Sequence, residues 1–188
     1  IEDVSDKLGA LSLQGPRSRQ LLQAMTGADL TGVKYHQFTH VNLLGEPTMV
    51  SRTGYTGDLG YEIWVPVERA LPVWDALIAA GRSVALQPAG IWAMDVSRIE
   101  AGLIMLDVDY TPAPKALTPA QASSPYEIGL GWAVHAKKGS FVGRKALVEE
   151  KARGAALALV GLVVDHVAFV QAHEKLGLTA PLPFVPWR

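Results

Sequence analysis

Cysteine is absent from the chain, and with it go disulfides, thiolate metal sites and any cysteine nucleophile. That absence fits a reducing compartment, so the expected location is the cytoplasm, or the mitochondrial matrix if the source is eukaryotic. An excess of charge is missing too: 17 Lys and Arg stand against 18 Asp and Glu, a net charge of −1. Such a balance cannot neutralise a run of phosphates, which argues against nucleic acid as a partner. No apolar run approaches the roughly 20 residues that cross a bilayer. The acidic opening Ile1-Glu2-Asp3-Val4 also has no apolar stretch of the kind a signal peptide needs. No membrane partner is expected. The chain opens on Ile1 rather than Met, which leads us to expect a piece of a longer protein.

What is present is a globular composition, 49% apolar and 19% charged, with apolar residues enough for a buried core. Gly15-Pro16 opens a helix, with Leu21, Leu22 and Met25 on one stripe and Gly27 at its end. Residues 33–65 read as strands and tight turns. Met49-Val50-Ser51-Arg52 runs into a glycine-rich turn, and Tyr61-Glu62-Ile63-Trp64-Val65 follows as a strand. Past Pro66 a helix presents Val73, Trp74, Leu77 and Ile78 on one face and ends at Gly81. Residues 83–86 read as a short buried strand. Pro88 starts another helix with Ala89, Trp92, Ala93, Val96 and Ile99 inward, closed by Gly102. Residues 107–125, which carry Pro112, Pro114, Pro119 and Pro125, form a long irregular segment. Residues 129–134 read as a strand, 143–151 as a helix and 156–164 as an apolar strand, while the proline-rich tail from Pro181 has no period. The mixed order gives an α+β class.

Gly54, Gly57 and Gly60 fall three apart, which is neither a dinucleotide fingerprint nor a phosphate loop. A hairpin with glycines at positive φ accounts for the spacing. In the next strand Tyr61, Ile63 and Val65 share one face, and Glu62 and Trp64 share the other. A carboxylate beside a tryptophan on an apolar strand needs a partner. Two readings stand side by side: a salt bridge to Arg52 or Arg98, or a carboxylate aimed at a ligand with two adjacent N–H donors. Asp95 and Arg98 have helical pairing distance. Lys137 and Lys138 precede a helix, where solvation explains them more simply than an anion site. His36 and His40 have helical ligand spacing but fall in strand-like sequence, and no metal site is expected. A Gly-x-Ser-x-Gly elbow is absent.

Taken in order, four segments resemble the glycine-cleavage T-protein (aminomethyltransferase) family of folate enzymes. They are Leu13-Gln14-Gly15-Pro16; Ser51-Arg52-Thr53-Gly54-Tyr55-Thr56-Gly57 through Gly60-Tyr61-Glu62-Ile63; Ser97-Arg98-Ile99-Glu100-Ala101-Gly102-Leu103; and Gly129-Leu130-Gly131-Trp132 with Lys138-Gly139-Ser140-Phe141-Val142-Gly143-Arg144. The resemblance implies part of a three-lobed folate-binding fold with mixed or antiparallel sheets and flanking helices. It places a folate-binding lobe in residues 1–105, a return segment into the second lobe in 106–155, and a linker toward a C-terminal barrel in 156–188.

It further implies a tetrahydrofolate-dependent one-carbon transferase, moving an aminomethyl or methyl group from a small-molecule donor or a lipoyl carrier protein. The alternatives are a folate-dependent demethylase acting on a small methylated donor, or a non-catalytic folate-binding relative. Glu62 is the residue that the resemblance places on the pterin, with Tyr55 helping to form the pocket. The chemistry agrees, because a reduced pterin presents a ring N–H beside an exocyclic amine and a carboxylate accepts both. Two departures stand out. Met94 lies between Ala93 and Asp95, where glycine-cleavage members carry an arginine that contacts folate. The family's catalytic aspartate belongs upstream of Ile1, and Asp58, Asp95, Asp107 and Asp109 do not occupy its motif, so the catalytic residue is unknown.

Overall fold

The computed structural model describes residues 2–178. The chain divides into two units, Ile1–Leu103 and Ile104–Arg188.

The first unit is built on an antiparallel sheet of β1 (Leu8–Gln14), β2 (Phe38–Leu43), β3 (Glu46–Ser51) and β4 (Gly60–Pro66), in the order β1-β4-β3-β2. Register sets which residues share a face. Leu11 pairs with Ile63 and Ile63 with Val50, while Ser12 pairs with Glu62 and Glu62 with Ser51. The apolar set packs under two helices, α1 (Ser18–Thr26) and α2 (Ala70–Gly81). Leu22, Leu30, Leu43, Val50, Tyr61 and Ile63 are fully buried there. Each aliphatic side chain removed from water in this way contributes roughly 1.5–3 kcal/mol. Burying Tyr61 is compatible with its hydroxyl because Arg19 Nε donates to it at 3.0 Å. Neither helix covers the opposite face, which carries Ser12, Gln14, Phe38, His40, Met49, Ser51, Glu62 and Trp64.

α1 starts at Ser18, two residues after the Pro16 expected to open it, and Gly27 closes it at φ 68° as expected, while α2 follows Pro66 and ends at Gly81. Trp74 differs from expectation: Val73 and Leu77 are buried, but Trp74 is exposed at the helix edge. The strand expected at 83–86 is instead a 3-10 turn, Arg82–Val84, ended by a left-handed residue. Leu86 N–H bonds to the Gly81 carbonyl at 2.9 Å and Ala85 N–H to the Arg82 carbonyl at 3.3 Å, with Ala85 at φ 55°. This is the Schellman pattern. It draws Leu86 over Gly81 so closely that a Cβ on residue 81 would lie 2.5 Å from the leucine side chain. The third helix, α3 (Ile91–Glu100), starts after Gly90 rather than at Pro88. Its Trp92, Val96 and Ile99, expected inward, are exposed, and Arg98 is the residue it buries. Helical period marks an apolar face, but it does not say that a partner covers it.

The second unit has little regular structure. α4 (Arg144–Arg153) agrees with the sequence, as does the irregular proline-rich segment. The strand expected at 129–134 is a 3-10 turn, Gly131–Ala133, wrapped so tightly on Tyr126 that a Cβ at Gly131 would meet its ring at 2.7 Å. The strand expected at 156–164 does not form, because a strand needs a neighbour. Only the Leu159 N–H finds a backbone partner there among the described residues, the Glu127 carbonyl at 2.7 Å. α5 (His166–Lys175) was not anticipated, although Asp165 caps it by accepting from Ala168 N–H at 3.0 Å. The proline-rich tail lies outside the described residues.

Candidate functional site

Glu62 sits at the centre of β4 on the uncovered face, half-buried. Neither proposed arginine pairs with it. Arg52 turns away to donate to the Val33 carbonyl at 3.0 Å. Arg98 is buried against Asp95 at 2.6 Å and reaches the Leu103 carbonyl at 3.3 Å. The carboxylate is held by hydroxyls instead. Thr53 Oγ1 donates to Glu62 Oε2 at 2.5 Å, and Ser51 Oγ lies 3.4 Å from the same oxygen. Glu62 Oε1 has no partner among the described residues. Of the two readings that the sequence left open, the salt bridge is therefore not formed, and Glu62 keeps acceptor capacity to spare at Oε1.

Sequence reasoning overlooked the residues that hold this arrangement. Trp64 Nε1 donates to Ser51 Oγ at 3.2 Å, and Ser51 Oγ is 2.8 Å from Thr53 Oγ1. Gln14 ties the neighbouring edge strand to the turn: its Nε2 donates to Ser12 Oγ at 3.0 Å and to the Thr53 carbonyl at 3.3 Å. Thr56 Oγ1 donates to Gln14 Oε1 at 3.4 Å. The three glycines are explained by this packing more than by backbone angle. Only Gly57 has positive φ, 76°, whereas Gly54 and Gly60 leave room for the Gln14 amide, whose Oε1 a Cβ would meet at 2.0 and 1.7 Å. Register alone makes Ser51 the cross-strand neighbour of Glu62, and hydroxyls beside a carboxylate satisfy it.

Tyr55 lies in the same turn, half-buried, two residues beyond Thr53, and it is not among the hydrogen-bond partners of Glu62. Met94 is half-buried and lines a cleft of about 240 Å³ with Leu11, Trp74, Leu77 and Ile78, and with the polar Ser12, Gln14 and Thr56. None of the residues lining that cleft is charged. The aspartates that the sequence declined to recruit are occupied locally. Asp58 accepts from Leu59 N–H at 2.6 Å, Asp109 accepts from Met105 N–H at 2.6 Å, and Asp107 pairs with Lys115. His36 is in a turn at φ 63° rather than in a strand, and His40 is in β2. Among the described residues, no group of three or more His, Cys, Asp or Glu side chains is placed to hold a metal ion. Among them, too, no helix is long and apolar enough to cross a membrane.

A carboxylate with one oxygen unpartnered among the described residues can accept an N–H donor from a ligand.

The sequence model of the GCVT N-terminal domain matches residues 1–138. An aminomethyltransferase of Caldanaerobacter subterraneus subsp. tengcongensis is 37% identical over 194 residues, which cover 99% of this chain and 50% of that protein. An aminomethyltransferase of Halothermothrix orenii is 39% identical over 161 residues, covering 86% and 43% respectively. The chain thus spans about half the length of the curated relatives it matches. The crystal structure of the glycine cleavage system aminomethyltransferase T from Bartonella henselae superposes with a TM-score of 0.62 at 29% identity, over 79% of this chain and 38% of that one. The α+β architecture is shared with it.

Proposed function

The chain belongs to the GCVT N-terminal domain family, and from that premise we propose that it contributes the pterin-binding wall of a tetrahydrofolate-dependent one-carbon transferase. The observation that carries the proposal is Glu62, whose Oε1 has no partner among the described residues while Oε2 accepts from Thr53 at 2.5 Å with Ser51 Oγ 3.4 Å away. Tetrahydrofolate, when bound, supplies the nitrogens that accept the one-carbon unit. This chain's part is orientation: Glu62 takes the two pterin donors as a charge-assisted pair and fixes the ring plane. Tyr55, in the same turn, forms part of the pocket wall. The group that moves protons at the reacting nitrogens is assigned to no residue of this chain. The proposed division of labour keeps the folate-binding lobe in residues 1–105, with 106–155 returning to a second lobe and 156–188 leading to a barrel.

The donor is an aminomethyl group on a lipoyl carrier protein or a methyl group on a small molecule. Met94 favours the small methylated donor. It lines an uncharged cleft, where a strict glycine-cleavage enzyme would present an arginine, and a thioether cannot supply that residue's fork of donors.

Calorimetric titration with 5-formyl-tetrahydrofolate tests the reading, on this chain and on a polypeptide of the relatives' length that carries it. Glu62→Gln keeps the shape but turns an N–H toward one pterin donor. The expected loss is at least about a hundredfold in affinity, from hydrogen bonds to a charged acceptor. Equal affinity in wild type and variant would exclude Glu62 as the pterin ligand.

A further inference from the structure

Glu62 lies half-buried on the sheet face opposite α1 and α2, and its carboxylate is held by a chain of hydroxyls. An indole N–H can only donate and a carboxylate can only accept, so the protons along Trp64, Ser51, Thr53 and Glu62 run one way. Trp64 fills one acceptor site of Ser51 at 3.2 Å, and the Ser51 proton goes to Thr53 at 2.8 Å rather than to Glu62 at 3.4 Å, because that short contact needs a proton Thr53 cannot spare. The single Thr53 proton then goes to Glu62 at 2.5 Å. Thr53 is itself buttressed, since Gln14 Nε2 donates to its carbonyl at 3.3 Å from a seat kept open by Gly54 and Gly60. Among the described residues, the hydroxyls near Glu62 lie against Oε2 and none lies against Oε1.

We propose that Thr53 is a positioning residue for Glu62: its hydroxyl fixes the carboxylate so that Oε1 and the free lone pair of Oε2 are presented side by side, which selects a ligand with two adjacent N–H donors. The inference rests on Glu62 being the pterin carboxylate. Selection follows from geometry. A carboxylate free to rotate on an open face meets one donor as easily as two, whereas one pinned through a single oxygen presents a fixed edge, and ordering cost is met before the ligand arrives.

The test compares Thr53→Val, which keeps the shape and removes the hydroxyl, with Thr53→Ser, which keeps the hydroxyl. Each is titrated with 5-formyl-tetrahydrofolate and with its 2-desamino analogue, which lacks the exocyclic donor. We expect Thr53→Val to bind the folate about tenfold more weakly and to lose most of the wild-type preference for the 2-amino ligand. Thr53→Ser should return both to within about twofold. Should valine's second methyl disturb the turn, as judged by the unfolding midpoint, Thr53→Ala makes the same comparison. A hydroxyl-free variant with wild-type affinity and undiminished 2-amino preference overturns the proposal. So does a serine variant as weak as the valine one, because shape rather than the hydroxyl would then be at work. If wild type binds neither ligand, the Glu62 assignment fails and this inference falls with it; if wild type binds and the variants match it, this inference alone fails.

Discussion

Gly54, Gly57 and Gly60 look equivalent on paper, yet they answer to different constraints. At Gly57 the backbone is left-handed, φ 76°, and a Cβ would lie 2.3 Å from that of Ala101. A methyl has no rotamer with which to retreat, and the backbone itself disfavours an L side chain by roughly 1–2 kcal/mol. At Gly60 the obstruction is the tip of Gln14, which can swing away. The cost there is the loss of the glutamine's bonds to Ser12 and Thr53, each worth about 1 kcal/mol. Urea unfolding should therefore show Gly57→Ala destabilising by about 3 kcal/mol and Gly60→Ala by about 1–2. The Gly60 variant should bind 5-formyl-tetrahydrofolate more weakly than its stability predicts, because Gln14 buttresses Thr53. A Gly60 variant as destabilised as the Gly57 one would mean that Gln14 is not free to move.

At the scale of elements, the end of α2 shows a local rule satisfied by an unusual residue. The Schellman turn puts Ala85 at φ 55°, a conformation that glycine takes without penalty. Ala85→Gly should raise stability by about 0.5–1 kcal/mol in urea unfolding, the relief of left-handed strain being partly offset by the greater freedom of the unfolded chain. A loss of stability would contradict the turn as described. The same turn explains why 83–86 misled as sequence. Ser83-Val84-Ala85-Leu86 has strand composition, and without glycine at the left-handed position nothing announced a helix ending. Where elements are bounded by strong punctuation, the boundaries were legible: Gly27 after α1, Gly81 near the end of α2, Gly102 after α3. The alternation in β4 was legible as well, since Tyr61, Ile63 and Val65 are buried and Glu62 and Trp64 are not. The partners of Glu62 were not, because Ser51 and Thr53 meet it only through strand register, which the composition of a single strand does not encode. Residues 156–164 failed for the related reason that β propensity without a neighbouring edge makes no sheet.

For the molecule as a whole, the fully buried apolar side chains among the described residues all lie between Leu13 and Leu77. Amide protection should follow that distribution. Hydrogen exchange is expected to be slowest at Val50 and Ile63, in the middle of the sheet, and close to unprotected over residues 155–164 apart from Leu159. Protection across 155–164 matching that of β4 would show that the segment is paired. The uncovered sheet face belongs to the same picture: its polar cluster is ordered by strands whose stability comes from the opposite, helix-covered side. A ligand can therefore be met by a preformed carboxylate rather than by one that folds around it.

The most direct test of the central claim is a crystal structure of the chain, or of a longer polypeptide that carries it, with 5-formyl-tetrahydrofolate. The account predicts the pterin on the uncovered face, its ring N–H and exocyclic amine within hydrogen-bonding distance of the Glu62 carboxylate, with Thr53 still donating to Oε2. A pterin bound elsewhere, or a Glu62 turned to an arginine when folate is present, would contradict it.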